Sequence, residues 1–263
     1  GTRYYTFTWS AMLMIRAAAK LTKRIFILDR PNPLNGVTVQ GPLIEPGFES
    51  FVGLYSVPIR HGLTIGELCR MLNREQGLAA DIEVIKMQGW KRTAYGDEIG
   101  IHWAVPSPNM PAFSTALVYP GMCLLEATNV SEGRGTTRPF EILGAPWIQP
   151  YRLADALQKS LIRGCAFRPT FFIPTFHKFR GRLCGGIQIY VQDRRQFAPV
   201  NAGLEIIRTI RRLFPEYFCW RLPPYEYEKH KMPFDILIGN SWVRKAVEKN
   251  TPIHEIQKQW QGD

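Results

Sequence analysis

Apolar and polar positions along the chain switch between two periods. Residues 9–20 put Met12, Ile15 and Ala19 on one helical stripe, and Arg24 to Leu28 is a short apolar run with the length and branching of a strand. Asp29-Arg30-Pro31-Asn32-Pro33 follows, and its prolines exclude both helix and central strand. Residues 36–62 are a Gly- and Pro-rich connection. Thr64-Ile65-Gly66-Glu67 is a capping box that opens a helix with Ile65, Leu68, Cys69 and Leu72 on one face. Asp81 to Met87 alternates as a strand does. From near Trp103 a second set of elements begins. It has short strands at Ala116–Tyr119 and Met122–Leu125 around Pro120-Gly121, and a helix at Ala154–Ile162. A strand at Gly185–Val191, a helix at Ala202–Phe214 and a last strand at Asp235–Ile238 follow. The tail from Val243 to Trp260 is helical with a break at Pro252. This rhythm predicts an α/β protein in two units, 1–104 and 105–263. In such folds ligands bind beyond the carboxyl ends of the strands, which makes Asp29 and Asn32 candidate contacts.

The densest polar chemistry lies between Leu124 and Glu141. These 18 residues hold three carboxylates, two arginines, two glycines and four hydroxylated side chains. A surface that grips a hydroxyl-rich ligand needs such a set, and long irregular stretches in compact domains are commonly functional. Arg134 stands between Gly133 and Gly135, and its planar fork fits a carboxylate. Flanking glycines permit unusual dihedrals and a close approach of backbone to a ligand. Glu126, Glu132 and Glu141 could divide acid and base roles. Glu126 and Glu141 are equally explained as partners of Arg134 and Arg138 that brace the loop. Trp90, Trp103, Tyr119, Trp147 and Tyr151 stand near the polar loops, where rings can stack on the C–H faces of sugars.

Composition narrows the alternatives. Among 263 residues, Lys and Arg exceed Asp and Glu by 11, which favours anionic partners. The basic residues are dispersed, though, and no zinc-finger or RNA-recognition spacing accompanies them, so nucleic acid is not an expected partner. No apolar run reaches the length of a membrane span. The five cysteines are odd in number and lack a C-x-x-C pair, which argues against a disulfide framework or a thiolate zinc site. The five histidines are scattered without metal-ligand spacing. His61, between Arg60 and Gly62 in a loop, is the best placed for a polar role.

Several motifs together resemble the exo-β-N-acetylmuramidase family, formerly a domain of unknown function. They are Asp29-Arg30-Pro31-Asn32-Pro33, Ser50-Phe51-Val52-Gly53, Arg60 to Glu67, Pro106-Ser107-Pro108-Asn109-Met110-Pro111, Tyr119-Pro120-Gly121, Thr128 to Thr136 and Gly144-Ala145-Pro146-Trp147. The resemblance implies a glycoside hydrolase that removes N-acetylmuramic acid from the non-reducing end of peptidoglycan fragments, working in the cell envelope or secreted. It implies a Rossmann-like N-terminal unit, here partial, a C-terminal α/β unit, a cleft between them, and no metal or organic cofactor. Within that frame Asp29, Asn32, His61, Asn109, Asn129, Arg134 and Arg138 are expected to bind muramoyl saccharides. Arg134 would meet the lactyl carboxylate, and Glu132 would assist proton transfer or orient water. The family also has a Pro-Glu-His-Gly motif whose glutamate is the expected catalytic acid. That motif is not among these residues, and Gly1 to Thr6 resembles the segment that follows it. The chain is therefore expected to lack part of its first unit. A non-catalytic muramoyl-glycan-binding module is the alternative expectation.

Overall fold

The computed structural model describes residues 1–260, folded as two compact units, one of residues 1–103 and one beginning at Ala104. The fold class is mixed α/β, as the sequence pattern predicts.

In the first unit, helix α1 (Phe7–Lys20) leads to strand β1 (Ile25–Leu28), and helix α2 (Ile65–Glu75) leads to strand β2 (Ile82–Ile85). The strands pair in parallel, with Ile25 opposite Ile82 and Leu28 opposite Ile85. Their carboxyl ends therefore lie side by side. Trp9, Met12 and Ile15 of α1 pack with Leu68, Cys69 and Leu72 of α2 to form the core. The capping box forms as read. Thr64 Oγ1 accepts from the Glu67 amide at 3.2 Å, and Glu67 accepts from the Thr64 amide at 3.0 Å. Thr64 also donates to Asp29 at 2.7 Å, so one hydroxyl ties the start of α2 to the end of β1. Thr64→Ala is expected to cost about 1 kcal/mol or more through the lost cap. Chemical denaturation measures this, and an unchanged midpoint would show that the cap is not a net stabiliser.

The second unit has helix α3 (Phe113–Met122), a 3₁₀ turn (Cys123–Ala127), strand β3 (Ile142–Ala145), helix α4 (Pro150–Gln158), strands β4 (Cys165–Phe172) and β5 (Cys184–Val191), helix α5 (Pro199–Leu213), and short helices α6 (Pro233–Ile238), α7 (Trp242–Glu248) and α8 (Ile253–Trp260). The sheet is antiparallel in the order β3-β5-β4. Helix α5 is buried along most of its length, from Val200 to Ile210.

Two predicted segments differ. The strands expected at Ala116–Tyr119 and Met122–Leu125 are the end of α3 and the 3₁₀ turn. A short apolar run buried on all sides has no polar face, so its period cannot separate strand from helix. The strand expected at Asp235–Ile238 is helix α6. Its signals are Pro233 in the first turn and Gly239, which closes the helix at φ 93°. Strands β3 and β4 were not foreseen from the pattern.

Candidate functional site

The polar loop of the second unit is organised around its own charges. The 3₁₀ turn presents Glu126, and the chain then runs through Ser131, which bridges to Gly144 of β3. Gly133 and Gly135 both take positive φ, 79° and 81°. Their lack of a side chain serves the protein's own packing. A Cβ on Gly133 would lie 2.2 Å from the Ile142 carbonyl, and one on Gly135 would lie 2.7 Å from the Phe176 backbone. These glycines therefore have a packing reason of their own, beside the ligand contact expected of them. The close approach to Phe176 brings the adjacent His177 and Lys178 to Glu132.

Arg134 sits between two carboxylates. Its Nη2 donates to Glu126 at 2.6 Å, its Nε lies 3.2 Å from Glu132, and its guanidinium covers the Phe140 ring at 5.1 Å. The second oxygen of Glu126 accepts from the Tyr225 hydroxyl at 2.7 Å. Glu132 is wholly buried. Its Oε2 accepts from Lys178 Nζ at 2.9 Å, and the same ammonium donates to the carbonyls of Leu125 and Val130, each at 2.9 Å. The Oε1 of Glu132 lies 3.2 Å from both Arg134 Nε and His177 Nδ1, but neither contact is aligned as a hydrogen bond. Burial alone would raise the Glu132 pKa. The charge of Lys178 and the contact with His177 outweigh it and hold the carboxyl at about 2. For Arg134, burial is likewise outweighed, by Glu126, and its pKa is raised. Burial, then Glu126, pushes the Tyr225 phenol and the Cys123 thiol upward, so both stay protonated. The result is an internally balanced set of two carboxylates and two cations, with Tyr225 as a neutral donor.

The remaining predicted residues of this unit stand apart from that set. Arg138 is 51% exposed at its side chain and pairs with Glu141 at 3.5 Å. Glu141 also accepts from Ser114 at 3.1 Å and Thr115 at 2.7 Å. Asn129 pins two distant backbones, donating to Tyr217 O at 2.7 Å and accepting from the Cys219 amide at 3.0 Å. Asn109 is half-buried in a turn closed by Met110 and Ser107.

In the first unit, Asp29, Asn32 and His61 converge on residues 63–66. Asp29 follows β1 directly and accepts from the Gly66 amide at 2.8 Å, the Arg30 amide at 3.0 Å and the Thr64 hydroxyl. Asn32 accepts from the Leu34 amide and donates to Leu63 O, and His61 Nδ1 accepts from the Leu63 amide at 3.1 Å. Burial keeps the His61 pKa well below its usual value. It is a neutral ring with its Nδ1 already occupied.

Sequence reasoning missed Lys178 and Tyr225, which lie 46 and 99 residues from the carboxylates they hold. No local signal marks such partners. His177 was visible only as one scattered histidine.

Known proteins share this arrangement of elements. Residues 1–114 match the family model for the N-terminal part of exo-β-N-acetylmuramidase NamZ, and residues 117–263 match the model for its C-terminal part. The curated peptidoglycan β-N-acetylmuramidase NamZ of Bacillus subtilis (strain 168) is 43% identical over 256 residues, which is 97% of this chain and 60% of the relative. The chain thus spans about three fifths of that relative's length. Two crystal structures of DUF1343 family proteins from Bacteroides fragilis NCTC 9343 superpose on it with TM-scores of 0.89 and 0.76. Each is 28% identical, and the match covers all of this chain and 68% and 69% of theirs. With both family models matched in order along the same chain, the protein belongs to the exo-β-N-acetylmuramidase NamZ family.

Proposed function

We propose that this chain is part of a glycoside hydrolase that releases N-acetylmuramic acid from the non-reducing end of peptidoglycan fragments, acting in the cell envelope or outside the cell. The observation that supports this best is the 43% identity to a curated peptidoglycan β-N-acetylmuramidase along nearly the whole chain. The described residues contain no helix long and apolar enough to cross a membrane.

The chemistry of the second unit gives each residue a role within that reading. A buried carboxyl held near pKa 2 is ionised at any physiological pH. It can orient water or substrate but has no proton to give, so Glu132 acts as a positioning group and the acid must be another residue. Arg134 fixes Glu126 and Glu132 relative to each other. Of the expected site residues in this unit, Arg138 and Asn109 are the less enclosed ones that meet sugar hydroxyl and acetamido groups. Asn129, Asn32 and His61 shape the loops that meet the sugar.

The test is hydrolysis of a chromogenic β-N-acetylmuramide and of a muramoyl-terminated peptidoglycan disaccharide by the full-length protein. Release of free N-acetylmuramic acid from both is the expected result. Binding without turnover would replace this reading with that of a glycan-binding module.

A further inference from the structure

The parallel strands β1 and β2 end side by side, and a cavity of about 260 Å³ opens at those ends beside the start of α2. Its walls include Asp29 and Arg30 after β1, Thr64 capping α2, Arg70 on α2, Lys86 after β2, and Trp90. The charges here are unevenly used. The Asp29 carboxylate accepts from two amides and a hydroxyl. Glu67, the other carboxylate of the wall, pairs with Arg92. Among the described residues no carboxylate lies within ion-pair distance of Arg30, Arg70 or Lys86. The Trp90 ring is fixed by Arg92, whose guanidinium lies 5.7 Å from its centroid, and by Gly36, where a Cβ would lie 2.9 Å from the ring. Its indole Nε1 is buried without an acceptor among the described residues.

Three cations without counter-charge around a concave site call for an anion, and an indole beside them offers a face to a sugar ring. Both acids lining the site are already satisfied, so they add little demand for a cation. The arginine first expected to take a ligand carboxylate, Arg134, is by contrast already forked between Glu126 and Glu132. A second anion there would have to displace a buried carboxylate.

We propose that the cavity at the ends of β1 and β2 is an anion subsite, in which Arg30, Arg70 and Lys86 take the lactyl carboxylate of the terminal muramic acid. This rests on the hydrolase reading given above. It adds a selectivity: a sugar whose lactyl group is free is preferred to one whose lactyl group is amidated, because amidation removes the charge the three cations face.

The experiment compares two chromogenic β-N-acetylmuramides, the free lactyl acid and its lactyl carboxamide, on the full-length protein and on the triple variant Arg30→Gln/Arg70→Gln/Lys86→Gln. All three side chains are exposed and without ion-pair partners, so the variant is expected to melt with the parent. The ratio of kcat/KM for acid over carboxamide is expected to fall about tenfold or more in the variant, through KM. An unchanged ratio in a folded variant overturns the proposal. Should the parent protein turn over neither sugar, the hydrolase reading fails, and calorimetric binding of free N-acetylmuramic acid against N-acetylglucosamine then decides the subsite. Tighter binding of the acid that is lost in the variant supports it, and equal or absent binding overturns it.

Discussion

Glu132→Ala is expected to destabilise the second unit by about 3–5 kcal/mol, the range for removing one partner of a buried ion pair. The carboxylate is 0% exposed and faces Lys178, Arg134 and His177. Its loss leaves the Lys178 ammonium with only the carbonyls of Leu125 and Val130. Glu132→Ala combined with Lys178→Met is expected to recover part of the loss, because both charges leave together. Denaturant titration of the parent, single and double variants checks this, and a single-variant loss under about 1 kcal/mol counts against a structural role. The same residue predicts a pH dependence. Its pKa is about 2 in the fold against an ordinary value of 4.5. A depressed carboxyl stabilises the fold fully above the ordinary value, and the contribution fades as pH falls toward the folded value. The difference corresponds to about 3 kcal/mol, lost between pH 4.5 and 2. Stability of the parent should therefore fall more steeply across that window than that of Glu132→Gln. Parallel curves would mean that the carboxyl is not held as described.

How legible such features are in the sequence depends on how local their causes are. The Thr64–Glu67 capping box spans one helical turn, and the structure contains it as read. The stripe of α1 and the strand read at Asp81–Met87 also follow from near neighbours. Asp29 was placed at the end of a strand by the helix-strand rhythm alone, and it lies there, bound to the start of α2. The 124–141 loop was visible as polar density, but its purpose was not. Gly133 and Gly135 read as openings toward a ligand, yet what lies against them is the backbone of Ile142 and Phe176. The ion pairs of Glu126 and Glu141 with Arg134 and Arg138 were readable because they fall within one loop. The clamp from Lys178 was not, because the chain must first fold β4 and β5 to bring it near. The apolar runs of α3 and α6 failed for another reason. Elements buried on all sides carry no amphipathic period, and length and capping signals were the only guides left.

Gly121→Ala is expected to cost about 3 kcal/mol or more, at or above the top of the usual overpacking range. A Cβ at Gly121 would lie 1.7 Å from the Pro199 carbonyl, and one at Gly203 would lie 2.3 Å from the Gly121 carbonyl. Helices α3 and α5 therefore meet backbone to backbone, and the methyl has no flexible side chain to displace. One helix must move. Because α3 runs directly into the 3₁₀ turn, the movement reaches Glu126 and with it the contacts to Arg134 and Tyr225. Gly203→Ala should be comparably harmful, but the double variant should cost less than the sum of the two, since one separation of the helices accommodates both methyls. Thermal and denaturant unfolding of the four proteins tests the idea. Additive losses would mean that the two glycines act independently, and the close α3–α5 contact would then not be what sets the position of Glu126.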